Sequence, residues 1–211
     1  MMKNIAQELL KIKAVFLQPN KPFTWASGIK SPIYCDNRLT LSYPATRTLI
    51  EEAYVELINN LYEDVDAIVG TATAGIGHAA IIAHLMKKPM AYVRGSAKDH
   101  GRHNLIEGHL NKGSKIVLIE DLISTGQSSI ECIKVLKAND IEVLGVVAIF
   151  TYNMKKSIDN FNAHNIPFNT LTNLDELLRV ALEDNYIDDQ DSERIKKFRD
   201  NPNDESWFNY Q

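Results

Sequence analysis

The 211 residues are 45% apolar and 24% charged, within the range of one compact globular domain with its own core. The 27 acidic residues outnumber the 23 basic ones, and the net charge of -4 excludes a broad positive field of the kind that gathers nucleic acid or anionic membrane, so any anion site must be local. Cys35 and Cys132 form no C-x-x-C or His/Cys cluster, residues 1–20 lack a secretory leader's apolar stretch, and no run reaches the roughly 18 apolar residues of a membrane span, so the expectation is a cytoplasmic protein with reduced thiols and no zinc.

Taken in chain order, Ile5, Leu9, Leu10, Ile12, Val15 and Phe16 recur at near-helical spacing and predict an amphipathic helix ending before Pro19 and Pro22. Residues 23–41 mix aromatic, small and turn residues and fit a short hairpin or irregular cap. A second helical pattern starts at Ser42, with Pro44 in its first turn, and runs through Leu49, Ile50, Ala53, Leu57 and Ile58. Short apolar runs at 67–70, 90–93, 116–119 and 143–150 follow, separated mostly by helical stretches, and their apolar residues on both faces suit parallel strands covered on both sides. The fold class expected is α/β: a doubly wound, mainly parallel sheet flanked by helices. Residues 157–164, 175–183 and 189–199 read as outer helices, followed by a polar tail containing Trp207 and Phe208. The organisation expected is one domain over 1–211, with a small hood at about 1–41 plus C-terminal elements and a core at about 42–165.

Ligands of such sheets lie beyond the carboxyl ends of the strands, where loops enter helix N-termini. The run Ile116 to Ile119 delivers Glu120 and Asp121 to the turn Leu122-Ile123-Ser124-Thr125-Gly126-Gln127-Ser128-Ser129, after which Ile130, Ile133 and Leu136 mark a helix. Free amides at a helix start, Ser and Thr hydroxyls, and a glycine that lets the backbone approach closely make a phosphate monoester site, and adjacent carboxylates suit sugar hydroxyls. These features describe a ribose 5-phosphate site in which Glu120 and Asp121 accept hydrogen bonds from two ring hydroxyls. The same residues also fit ordinary helix capping.

Two further loops sit at strand ends. Arg94-Gly95-Ser96-Ala97-Lys98-Asp99-His100-Gly101-Arg102-His103-Asn104 is cationic and glycine-containing, with almost nothing to bury, so Arg94, Lys98 and His100 are candidates to neutralise charge building on a leaving group when the loop closes. Gly70-Thr71-Ala72-Thr73-Ala74-Gly75-Ile76-Gly77 joins a strand to a helix, where its amides can also receive phosphate oxygens. Its G-x-G-x-x-A spacing through Gly75, Gly77 and Ala80 is a weak dinucleotide signal, and no G-x-x-x-x-G-K-[ST] occurs. His78 and His84 read as packing or surface residues, and His109 and His164 lack partners at ligand spacing.

Residues 117–129 resemble the phosphoribosyl pyrophosphate signature of type I phosphoribosyltransferases. Phe23-Thr24-Trp25-Ala26-Ser27-Gly28-Ile29-Lys30-Ser31-Pro32-Ile33-Tyr34 resembles the base-binding hood of the orotate-specific members, and 94–108 resembles their mobile catalytic loop. The resemblance implies transfer of ribose 5-phosphate from phosphoribosyl pyrophosphate to orotate, with magnesium held mainly through the substrate and not by a direct protein ligand set. It implies phosphoribosyl pyrophosphate binding by Arg94, Lys98, His100, Glu120, Asp121, Leu122, Ile123, Ser124, Thr125, Gly126, Gln127 and Ser128. Lys30, Tyr34 and Ser124 fall on the orotate side, Lys98, His100 and Asp121 in catalysis, and 70–77 at the pyrophosphate. It also implies a homodimer in which the loop at 94–108 reaches the neighbouring site, with no nucleic acid or membrane partner. Ala26, Ala74 and Gly95 stand where some members have lysine, and Tyr152 where some have arginine near the orotate carboxylate. The rival readings are a purine or other base phosphoribosyltransferase, and a non-catalytic regulator that senses phosphoribosyl pyrophosphate.

Overall fold

The computed structural model describes residues 2–25, 28–95 and 105–208. Five strands of its main sheet are parallel: β5 (Ala67–Thr71), β6 (Met90–Val93), β8 (Lys115–Ile123), β9 (Glu142–Thr151) and β10 (Phe168–Asn173). The two-residue β7 (Ile106–Glu107) adds an antiparallel edge beside β6, and the order across the sheet is β10-β9-β8-β5-β6-β7. The parallel strands therefore run fifth, fourth, third, first, second in chain order, which places a topological switch between β5 and β8.

Both faces of the sheet are covered, as the apolar runs predict. Every residue of β5 is buried. On one face, Ile68, Val117, Ile119, Val147 and Ile149 pack under α1 (Met2–Lys11), α2 (Pro44–Leu61), α3 (Ala74–Met86) and α6 (Leu174–Glu183). On the other, Val69, Ile116, Leu118, Val146 and Ala148 meet Ile130, Ile133 and Leu136 of α4 (Gln127–Ala138) and Phe161 of α5 (Lys155–Ala163). Burying each of those α4 side chains contributes about 1.5–3 kcal/mol, which holds the start of the helix against the end of β8.

Three features differ from the sequence-based expectation. The first helix stops at Lys11; Lys13 takes a left-handed backbone (φ 57°), and β-branched Val15 begins β1 (Val15–Leu17), which pairs with β4 (Ile33–Cys35). β10 lies in a stretch whose mixed Asn and Thr content hid its apolar core face, of which Leu171 is a fully buried member. The polar tail is anchored: Trp207 is buried against Phe198 of α7 (Asp189–Asp200), and Arg194 bonds the Trp207 and Pro19 carbonyls and the Asn20 side chain. The N-terminal segment is completed by the small hairpin β2 (Phe23–Thr24) and β3 (Lys30–Ser31), and by a 3-10 helix over Asn37–Ser42.

Candidate active site

At the switch point a cleft of about 340 Å³ is lined by Cys35, Asp36, Arg38, Thr73, Ala74, Glu120, Asp121, Leu122, Ser124 and Ser128. Three chain segments make it: the N-terminal 3-10 helix region, the turn between β5 and α3, and the β8–α4 turn.

β8 continues four residues beyond where the apolar run ends, because Leu122 and Ile123 pair with Phe150 and Thr151 of β9; Glu120 and Asp121 therefore sit inside the strand and not after it. Glu120 is only 6% exposed. Its carboxyl accepts from the Asp121 amide (3.1 Å), and the Ser129 and Ser128 hydroxyls stand 3.3 and 3.5 Å away. Burial first, and the neighbouring Asp121 charge second, push its pKa up to about 8.

Both helices that point at the cleft begin without a side-chain cap, leaving first-turn amides free of that competition. α4 starts from Gly126 in a left-handed conformation (φ 76°), where an added Cβ would stand 2.7 Å from the Phe161 ring. α3 starts after Thr73, and the Ala72–Thr73 peptide is cis. A Cβ on Gly75 would run into the Ile119 carbonyl, so only glycine lets α3 lie this close to β8.

Among the residues expected at a site, Glu120, Asp121, Leu122, Ser124 and Ser128 line the cleft together. The Thr125 carbonyl is held by Asn160 (2.8 Å), Gln127 turns to Glu131 (2.7 Å), and Ile123 is buried in the core beneath α4. Arg94 follows β6, 3.5 Å from Glu107. Lys30 reaches Thr24 (2.8 Å), and Tyr34 is 40% exposed, with its ring 5.5 Å from that of Phe23; neither lines this cleft. Lys98 and His100 lie outside the described residues, as do Ala26 and Ser27. His78, read as a packing residue, is fully buried and bonded to Glu51 (2.6 Å).

Residues that the motifs did not reveal complete the wall. Arg38 makes a two-pronged pair with Asp36 (2.6 and 2.9 Å), presenting a guanidinium and a carboxylate to the cleft. The Cys35 thiol is pushed well up by burial and then by Asp121, which keeps it neutral. The charge pair two residues apart was a signal in the sequence, but nothing local tied it to the acid pair more than 80 residues later. Among the described residues no group of three or more His, Cys, Asp or Glu converges as a metal cage. Glu120 and Asp121 bring carboxyl oxygens to the cleft, a donor chemistry that fits a magnesium ion carried in mainly by a substrate's own oxygens. No helix of the described residues is long and apolar enough to cross a membrane.

A phosphoribosyl transferase domain model matches residues 41–173. The orotate phosphoribosyltransferase of Listeria monocytogenes serotype 4b is 52% identical over 205 residues, which are 97% of each chain. Among solved structures, UMP synthase of Leishmania donovani superposes with a TM-score of 0.80 at 29% identity over 93% of this chain, which spans 42% of that longer protein. Orotate phosphoribosyltransferase from Aeropyrum pernix superposes with a TM-score of 0.74 at 26% identity, over 83% of this chain and 96% of that one. With a cleft at the switch point, an acid pair beside an uncapped helix start and relatives matched over nearly their full length, this chain belongs to the orotate phosphoribosyltransferase family.

Proposed function

We infer that the chain transfers the ribose 5-phosphate group of phosphoribosyl pyrophosphate to orotate, giving orotidine 5'-phosphate and diphosphate in pyrimidine (UMP) biosynthesis. The observation that carries the site assignment is the buried Glu120 beside half-buried Asp121, set against the open N-terminus of α4. In this reading the Ser124–Ser128 turn and the first amides of α4 hold the 5-phosphate, while Glu120 and Asp121 hold the ribose hydroxyls. The bond from ribose C1 to the pyrophosphate oxygen breaks as orotate nitrogen bonds to C1 from the opposite face, and the proton that this nitrogen gives up is taken by the departing diphosphate. Positive charge grows on the ribose, where the Asp121 carboxylate offsets it, and negative charge grows on the leaving oxygens. Arg94, Lys98 and His100 take that negative charge, and the amides at the start of α3 take the departing pyrophosphate. Lys30, Tyr34 and Ser124 form the orotate side. Magnesium, when bound with phosphoribosyl pyrophosphate, supplies further neutralisation of the diphosphate. Catalysis then rests on positioning and electrostatics, with little protein acid-base chemistry.

We further propose one domain over 1–211, a cytoplasmic location, and a homodimer whose loop at 94–108 serves the neighbouring site. The deciding experiment mixes the protein with magnesium, phosphoribosyl pyrophosphate and, separately, orotate, adenine, hypoxanthine, xanthine or uracil, and measures diphosphate release. Release with orotate alone is expected. Release with a purine and none with orotate refutes the reading.

A further inference from the structure

The acid pair is held by its main chain in an uncommon way. Pairing of β5 to β8 stops where Gly70 faces Ile119, while β8 stays paired to β9 as far as Ile123. Around that point three successive carbonyls accept from side chains: Ile119 from the Thr71 hydroxyl (3.1 Å), Glu120 from the Tyr54 hydroxyl (2.7 Å), and Asp121 from the Asn37 amide (2.7 Å). Tyr54 and Asn37 are both fully buried. Asn37 is itself locked: its Oδ1 accepts from the Cys35 thiol (3.2 Å), which turns its Nδ2 towards Asp121, and its carbonyl accepts from Thr40 (2.6 Å). Thr40 in turn lies 3.4 Å from His78, which is bonded to Glu51 on α2, the helix that carries Tyr54.

We propose that Asn37 and Tyr54 are positioning residues for the reaction: they touch no reacting atom, but they set the main chain from which the Glu120 and Asp121 carboxyls are aimed. Asn37 comes from the N-terminal segment and Tyr54 from α2, so the acid pair is braced from two elements outside its own sheet. A carboxylate that must meet a developing charge gains from being fixed beforehand, and loss of the brace lets it drift without removing it. The inference rests on the proposed transfer reaction for its readout.

The test compares wild type with Asn37→Ala, Tyr54→Phe and a control, Ile141→Val, which trims the core at the far end of the sheet. Steady-state kinetics with orotate, calorimetric binding of phosphoribosyl pyrophosphate and melting temperature are measured for each. Each brace variant should lose about tenfold or more in kcat, on the scale that sub-ångström to ångström misplacement costs, with KM for orotate changed far less. The control should melt lower with kcat unchanged. Tyr54→Phe removes a single oxygen, so the test stands even where Asn37→Ala is too unstable to assay. A folded brace variant whose kcat matches the control, or whose loss lies wholly in KM for orotate, overturns the proposal. Should wild type itself release no diphosphate with orotate, the transfer reading fails instead. The brace is then judged by binding alone: weaker phosphoribosyl pyrophosphate binding in both variants supports it, and unchanged binding overturns it.

Discussion

Replacing Glu120 with glutamine should make the protein more stable at alkaline pH while leaving it close to wild type in acid. The carboxyl is 6% exposed with Asp121 as its neighbour, and its pKa lies near 8 instead of the ordinary 4.5. A raised value means the folded chain holds the proton more tightly than the unfolded chain. Below about pH 4.5 both states are protonated and nothing is lost; between 4.5 and 8 only the unfolded state ionises, so stability falls as pH rises; above 8 both are ionised and the loss is constant. Between pH 6 and pH 9 the wild type should therefore lose about 2–3 kcal/mol that the glutamine variant keeps. Urea unfolding of the two proteins at pH 4.5, 6, 7.5 and 9 measures this, because every other titrating group is shared and cancels in the difference. Parallel stability curves would refute the claim that Glu120 is buried as a neutral acid. The same substitution should lower transfer activity, since the amide places an NH2 donor where one carboxyl oxygen accepts from a ribose hydroxyl.

Gly126→Ala should cost about 1–2 kcal/mol from its left-handed backbone alone, and because Phe161 must also shift, the KM for phosphoribosyl pyrophosphate should rise; unfolding curves and kinetics check both. Lys98→Ala and Asp121→Asn should each be inactive, yet mixing them after subunit exchange should recover about a quarter of wild-type activity, since about half the dimers are mixed and each has one intact site. Persistent inactivity with exchange demonstrated by a tagged subunit would mean that the loop serves its own site.

The parallel strands were legible because each is an apolar run bounded by helical pattern, and the 117–129 motif marked the phosphate turn because its hydroxyls, glycine and acids are contiguous. What escaped has a common cause. Asn37 and Tyr54 meet the acid strand, and Arg38 the cleft, only after residues more than 60 positions away have folded against them, and one buried asparagine carries no local pattern that distinguishes it from a turn residue. The first helix is shorter than its apolar spacing predicts because Val15 and Phe16 satisfy helical spacing and strand pairing equally. β10 leaves no clear pattern in the sequence because a parallel edge strand needs only a few inward apolar residues, here Leu171 among threonines and asparagines.

Arg194 grips Pro19 and Asn20 from 175 and 174 residues away, and Trp207 closes over the same junction. During synthesis the segment holding Pro19 and Asn20 emerges well before its anchor at Arg194 and Trp207. Until then Ile5, Leu9 and Val15 have no complete surface to bury against, since α1 also waits for α6 and β10. Throughout that interval a nascent chain carries an exposed apolar segment, the condition under which chaperone capture or aggregation competes with folding. Closing a loop of that length also slows the final step, because the entropy is lost before the contact forms.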